Sequence, residues 1–160
     1  MKKIIFALII TGSIVYIFSC TKSSTYGYST CTGVPVSTDS TALLAFAASD
    51  SITPTKDTSG LYYQIVTQGA GIRPFGTSKI TVTYVAKYLT GQVFDSTSKP
   101  LTFELDSLIL GWQYGLPKIQ PGGRIKLLIP SALAYGCTGS GSIPSNTPVY
   151  FDITLIDVKE

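Results

Sequence analysis

"KITVTYVAKYLTGQVFDS", residues Lys79–Ser96, is the stretch that decides the fold. Ile80, Val82, Tyr84, Ala86 and Tyr88 fall on alternate positions, the period of a strand with one buried face. "TGQ" at Thr90–Gln92 reads as a hairpin-like turn, and "VFDS" at Val93–Ser96 returns as the partner strand.

Working outward, the same pattern repeats. "LYYQIVTQ" at Leu61–Gln68 is a strand ended by the turn "GAG" at Gly69–Gly71, and "LTFEL" at Leu101–Leu105 is a short strand. "SLILGWQYGL" at Ser107–Leu116 is the helix candidate, with Leu108, Ile109 and Trp112 on a three-to-four spacing and Gly115 and Pro117 ending it. "QPGG" at Gln120–Gly123 is a turn, "RIKLLIP" at Arg124–Pro130 a strand stopped by its proline, and Pro148–Lys159 alternates again and closes the sheet. The class is α+β: a single twisted antiparallel sheet wrapped around one short helix.

Upstream, Thr21–Ser40 is rich in Ser, Thr and Gly without apolar periodicity and reads as a tether. A short helix is expected at Thr41–Ser49, capped by Ser40 or Thr41, with Leu43, Leu44 and Phe46 packing one side. Asp50–Gly60 is a second polar link. The first twenty residues read as an export signal: Lys2 and Lys3 form a basic start, Ile4–Phe18 is an apolar run, and a small residue, Ser19, precedes Cys20. The run is too short and too poorly flanked for a transmembrane helix. Residues 18–20 resemble a bacterial lipobox, whose cysteine is lipidated; Phe18 is a departure from it. The expected organisation is a lipoprotein signal at 1–19, a tether with a short helix at 20–60, and a globular domain at 61–160.

Twelve Lys and Arg stand against nine Asp and Glu, which is no nucleic-acid signature. Without Lys2 and Lys3 the chain is nearly neutral, so electrostatic steering is not its main device. Histidine is absent, which removes His triads, His bases and His metal ligands. No GxSxG, P-loop or metal-ligand cluster occurs, and "GAGIRPFG" at Gly69–Gly76 does not open a helix; no cofactor and no metal are expected. With Cys20 lipidated, Cys31 and Cys137 remain. In an oxidising compartment they either pair, closing a loop worth roughly 4–5 kcal/mol in the chain-entropy model, or stay free thiols; spacing does not decide between these.

Three residues stand out from this plain β-rich background. Trp112 is the only tryptophan and lies between Gly111 and Gly115. Asp95 sits in the apolar "VFDS", where a turn or cap role is the ordinary explanation. Tyr135 precedes the loop "CTGSGSIPSN" at Cys137–Asn146, where a tyrosine beside a glycine is often only a turn.

Four blocks, "VTYVAKYLTGQVFDS", "GWQYGL", "IQPGGRIKLLIPSALAYG" and "IPSNTPVYFDITLIDV", together resemble the FK506-binding-protein (FKBP) type of peptidyl-prolyl cis-trans isomerase across Ile80–Lys159. The resemblance implies a proline pocket lined by Tyr84, Phe94, Asp95, Ile109, Trp112, Tyr135 and Phe151, with Leu101, Leu108 and Ile143 at its rim. It implies Trp112 as the floor on which the prolyl ring rests, and flanking glycines that let the helix approach the sheet. Leu101 stands where an aromatic is frequent, so one wall is expected to be thin. The loop Cys137–Ser142 is about one residue shorter than in small cytosolic members, and Ser140 lies near their frequent histidine. The implied partners are proline-containing exported polypeptides and FK506-like macrolides. The expected setting is the cell envelope, lipid-anchored through Cys20 on the periplasmic side of the outer membrane. A monomer is expected, because Thr41–Ser49 is too short for a dimer stalk. The competing readings are a binding module or holdase in which catalysis is incidental, and a structural lipoprotein with a vestigial pocket.

Overall fold

The computed structural model describes residues 31–160. Alternating strand residues pair into one six-stranded sheet, every neighbouring pair antiparallel: β1 (Thr55–Lys56), β2 (Tyr62–Thr67), β3 (Lys79–Tyr88), β4 (Val93–Glu104), β5 (Arg124–Ile129) and β6 (Val149–Lys159), in the spatial order β1-β2-β5-β6-β3-β4. The sheet holds α2 (Leu110–Gly115) against one face, the expected single sheet around a short helix.

Two faces follow from strand parity. Ile125, Leu127 and Ile129 of β5 and Phe151, Ile153 and Leu155 of β6 point to the α2 side and join Ile80, Val82, Ala86, Trp112 and Leu116 in the main core. The intervening Leu128 and Tyr150 point the other way. There they meet Tyr62 and the residues Leu43, Phe46, Ala47 and Ile52 of the segment carrying α1 (Ser40–Ser49). The rings of Phe46 and Tyr150 lie 5.1 Å apart. Burying Leu43 and Phe46 stabilises this layer by roughly 1.5–3 kcal/mol each, as an upper bound. Residues read as tether and link are therefore built into the fold. A 3-10 turn at Val36–Asp39 precedes α1, and β1 adds to the sheet edge.

Four local expectations are corrected. Leu44 is exposed, because it falls one step beyond the Leu43/Phe46/Ala47 stripe. Neither Ser40 nor Thr41 caps α1: Asp39 holds the N-cap position and its carboxylate is engaged elsewhere. The helix expected over Ser107–Leu116 shortens to Leu110–Gly115, since Leu108 and Ile109 are extended (ψ 169° and 148°) and only 3-10 turns flank it. "VFDS" and "LTFEL" are one edge strand, β4, interrupted by a bulge: Val82 pairs Leu101 and Tyr84 pairs Thr97, so Ser98–Pro100 loop out opposite Thr83. An edge position is where a proline, which has no N–H to give, is tolerated.

A second irregularity matters more. Ala86 pairs Asp95 and Lys87 pairs Val93, which leaves Phe94 as an extra residue in β4. A bulge of this kind breaks strict alternation. It lets the consecutive Phe94 and Asp95 both serve the α2 side: Phe94 packs on the core and Asp95 reaches the cavity over Trp112.

Candidate active site

The close approach of α2 to the sheet creates the site. A Cβ at Gly111 would lie 2.5 Å from Ile129 Cγ2, and one at Gly115 2.6 Å from a Leu127 methyl. With those two positions bare, Trp112 is pressed into the sheet and is almost fully buried. Its ring meets Phe151 edge-on at 5.3 Å, Tyr84 at 5.4 Å and Phe103 at 6.4 Å, each close to perpendicular. Such T-shaped packing is a favoured arrangement of aromatic quadrupoles. Above it opens a cavity of about 250 Å³ lined by Tyr84, Asp95, Phe103, Ser107, Leu108, Ile109, Trp112, Tyr135 and Phe151. That size takes one small side chain, or one ring of a larger ligand.

The polar groups sit on the rim. Tyr84 O–H donates to Asp95 Oδ2 at 2.6 Å. Burial raises the Tyr84 phenol well above the ordinary tyrosine value, and the Asp95 hydrogen bond and negative charge add to this. Tyr135 is raised too, first by burial and then by the Asp95 charge, and its O–H has no hydrogen-bond partner among the described residues. The Ile109 N–H is likewise unpaired there, although the Ile109 carbonyl caps α2 by accepting from Trp112 N at 2.9 Å and Gln113 N at 3.2 Å. Gln113 reaches back from α2: its Nε2 donates to Leu108 O at 2.7 Å and to Asp106 O at 3.1 Å, fixing the turn that presents Ile109. The indole Nε1–H of Trp112 is buried and also without a partner among the described residues.

Tyr84, Asp95, Leu108, Ile109, Trp112, Tyr135 and Phe151 therefore converge on one cavity. Phe94 stands behind its wall, 5.9 Å from Phe151 and 4.8 Å from Tyr88, and faces a neighbouring cleft of about 840 Å³ between the β3–β4 hairpin and Ser142–Pro148. Ile143 is buried in the Ser140–Ile143 turn and is not among the cavity's lining residues. Leu101 is not part of the site: it is 42% exposed beside the Ser98–Pro100 bulge, and Phe103, two residues on, supplies that wall. Phe103, Ser107 and Gln113 were not anticipated. Phe103 shares the Leu101–Leu105 alternation and was legible as an inward aromatic; Gln113 carries no sequence signal, because its role depends on the break before α2. Among the described residues no cluster of metal-ligating side chains occurs.

A sheet closed by an aromatic-floored cup, with two free donors at its lip, defines a binding site for a small side chain. A model of the FKBP-type peptidyl-prolyl cis-trans isomerase family matches residues 72–156, and the chain belongs to that family. FKBP-type peptidyl-prolyl cis-trans isomerase FkpA of Escherichia coli K12 is 43% identical over 104 residues, covering 63% of this chain and 38% of that protein. The chain thus spans well under half the length of that relative. The crystal structure of FkpA from Escherichia coli superposes with a TM-score of 0.69 at 36% identity, covering 76% of this chain and 59% of that one. A peptidyl-prolyl cis-trans isomerase from Pseudomonas syringae pv. tomato gives 0.67 at 32% identity, covering 81% and 99%. AtFKBP13 gives 0.62 at 33%, covering 67% and 99%.

Proposed function

We propose that this chain catalyses cis-trans rotation of X–Pro bonds in exported polypeptides. The observation that carries the reading is the cup itself: Trp112, Tyr84, Phe103 and Phe151 in perpendicular contact beneath the unpaired Ile109 N–H and Tyr135 O–H.

The barrier to amide rotation is lost resonance, roughly 18–20 kcal/mol, which makes the uncatalysed step take about 10–100 s. No bond breaks, so no nucleophile is required. The twisted amide has less charge separation than the planar one, and an apolar cup binds it in preference to water. Trp112 takes the prolyl ring face; Tyr84 and Phe151 close the sides, and Phe94 supports Phe151 from behind. The Ile109 N–H holds a substrate carbonyl. The Tyr135 O–H donates to the carbonyl of the rotating bond. Asp95 occupies the Tyr84 hydroxyl and is an orienting group rather than a base. Leu108 borders the entry.

On the same reading the protein resides in the cell envelope, anchored by lipid on Cys20 to the outer membrane and facing the periplasm, as a monomer. Its support is the lipobox-like "IFSC" at Ile17–Cys20, which lies outside the described residues. Among the described residues no helix is long and apolar enough to cross a membrane. FK506-like macrolides would compete for the cup. The test is isomerisation of a short X–Pro peptide by the soluble form lacking residues 1–20. Turnover blocked by FK506 supports the reading. A folded protein that binds the peptide without accelerating rotation supports the binding-module alternative.

A further inference from the structure

Tyr135 lies on a short segment that follows β5, and both ends of that segment are fastened to the same N-terminal stretch. On one side, Ser131 begins a 3-10 turn at Ser131–Leu133. Its N–H and its O–H both donate to Asp39 Oδ2, at 2.7 and 2.6 Å, in a buried contact. On the other side, Cys137 is joined to Cys31 by a disulfide with the Cα atoms 5.5 Å apart. Tyr135 thus sits four residues after one tie and two before the other. Both anchors, Cys31 and Asp39, precede the region that the family model matches, residues 72–156. Within the segment, Gly136 N donates to Ser131 O at 2.9 Å, Asn146 N to Gly136 O at 2.8 Å and Gly139 N to the Tyr135 carbonyl at 3.1 Å.

We infer that Asp39 and Cys31 are positioning residues for the isomerase site, which fix the Tyr135 hydroxyl over the cup from outside the family domain. The inference rests on the reading of Tyr135 as donor to the rotating carbonyl. Neither anchor lines the cavity, so neither acts on substrate directly. Preorganisation is the physical basis. A hydrogen-bond donor that orients the substrate carbonyl acts only while its position is held, and small misplacements of such groups are costly in rate. Tyr135 O–H has no partner of its own among the described residues to hold it. The Tyr135 ring packs against the main core, the backbone of 131–137 sets where that ring sits, and the two ties remove the hinge at each end of that backbone. The disulfide also makes the site sensitive to reductant: opening it frees the Cys137 end while Asp39 keeps the Ser131 end.

The expected kinetic signature is a fall in kcat with KM nearly unchanged, because the hydroxyl orients the bound carbonyl for rotation while the prolyl ring still binds Trp112. Cys31→Ser, or wild type treated with dithiothreitol, is expected to lose about three- to ten-fold in kcat. Asp39→Leu should do the same, and Asp39→Asn, whose amide oxygen can still accept from Ser131, should restore most of it. The decisive control is the Tyr135→Phe background. There the hydroxyl is already gone, so Cys31→Ser and Asp39→Leu are expected to change kcat by less than about two-fold. Loss of kcat in the single variants that vanishes in Tyr135→Phe establishes positioning. Equal losses with and without the hydroxyl, or no loss in either single variant, overturn it. Should Asp39→Leu fail to fold, Cys31→Ser and the reductant arm decide the question by the same comparison. An inactive wild type would defeat the isomerase reading instead, and the inference with it.

Discussion

Gly111→Ala sets two physical effects against each other. Helix propensity alone predicts stabilisation, because alanine is better than glycine in a helix by about 1 kcal/mol. Packing predicts the opposite. The new Cβ would stand 2.5, 2.6 and 2.9 Å from Cγ2, Cδ1 and Cγ1 of Ile129. Ile129 is fully buried and β-branched, so its Cγ atoms cannot swing aside. Overpacking of this kind costs about 1–3 kcal/mol, and more when the backbone must move. With three Ile129 atoms in conflict the cost falls in the upper part of that range, about 2–3 kcal/mol, so packing should win by about 1–2 kcal/mol, or about 4–8 °C in melting temperature for a domain of this size. Because relief comes from lifting α2 off the sheet, Trp112 should rise with it and the KM for an X–Pro peptide should increase. Thermal unfolding followed by circular dichroism, together with peptide kinetics, reads both. Ile129→Ala removes all three clashing atoms. Alone it costs about 2–5 kcal/mol as a cavity, but combined with Gly111→Ala the double variant should be more stable than the sum of the singles by at least about 1 kcal/mol. A Gly111→Ala protein that melts at or above the wild-type temperature would refute the close approach of helix and sheet as the cause. So would strict additivity in the double variant.

Four other outcomes follow from the same geometry. Asp95→Asn should lower isomerase kcat/KM several-fold without unfolding the protein, since it weakens the Tyr84 contact at 2.6 Å but leaves the cup intact. Because Tyr84 and Tyr135 are both raised above 10.0, their hydroxyls stay protonated past the ordinary range. The stability this lends is complete below about pH 10 and is lost as pH climbs through the raised values. The alkaline fall in activity should therefore lie above pH 10 in wild type and move downward in Asp95→Asn, measured as a pH–rate profile. Reducing the Cys31–Cys137 bond, which spans 106 positions, should cost about 2–4 kcal/mol in urea unfolding. Asp39→Ala strands two buried Ser131 donors and should cost about 2–4 kcal/mol in the same experiment.

The sheet was legible because its strands keep a buried face on alternate residues, and the fold and family followed from four blocks whose spacing agrees. The candidate site was legible where residues carry a fixed signature, as in the glycines around Trp112. What escaped depends on departures from periodicity. The extra residue at Phe94 lets two consecutive side chains serve one face, and Leu101, on the same face as Phe103 but next to the Ser98–Pro100 bulge at the sheet edge, is left exposed while Phe103 forms the wall. The Phe94 bulge has no compositional mark, and Pro100 in the other points only to an edge or a bulge without fixing which side chains turn inward. The break before α2 hid the role of Gln113, since Leu108 and Ile109 fit a helical spacing that their extended backbone does not adopt. The second layer was half legible. Leu43 and Phe46 were expected to pack, but the carboxylate of Asp39 reaching Ser131, 92 positions away, leaves no trace in local sequence.

The proposed mechanism has an X–Pro amide twist more easily while its prolyl ring rests on Trp112. Exchange spectroscopy on a short X–Pro peptide measures that rotation directly, with catalytic amounts of the wild-type protein and of Trp112→Ala, each shown to be folded. Cis-trans exchange far faster than the unaided rate of about 0.01–0.1 s⁻¹ is expected with wild type, and a loss of at least about ten-fold in Trp112→Ala. Wild-type exchange no faster than peptide alone, or full activity retained by Trp112→Ala, would contradict it.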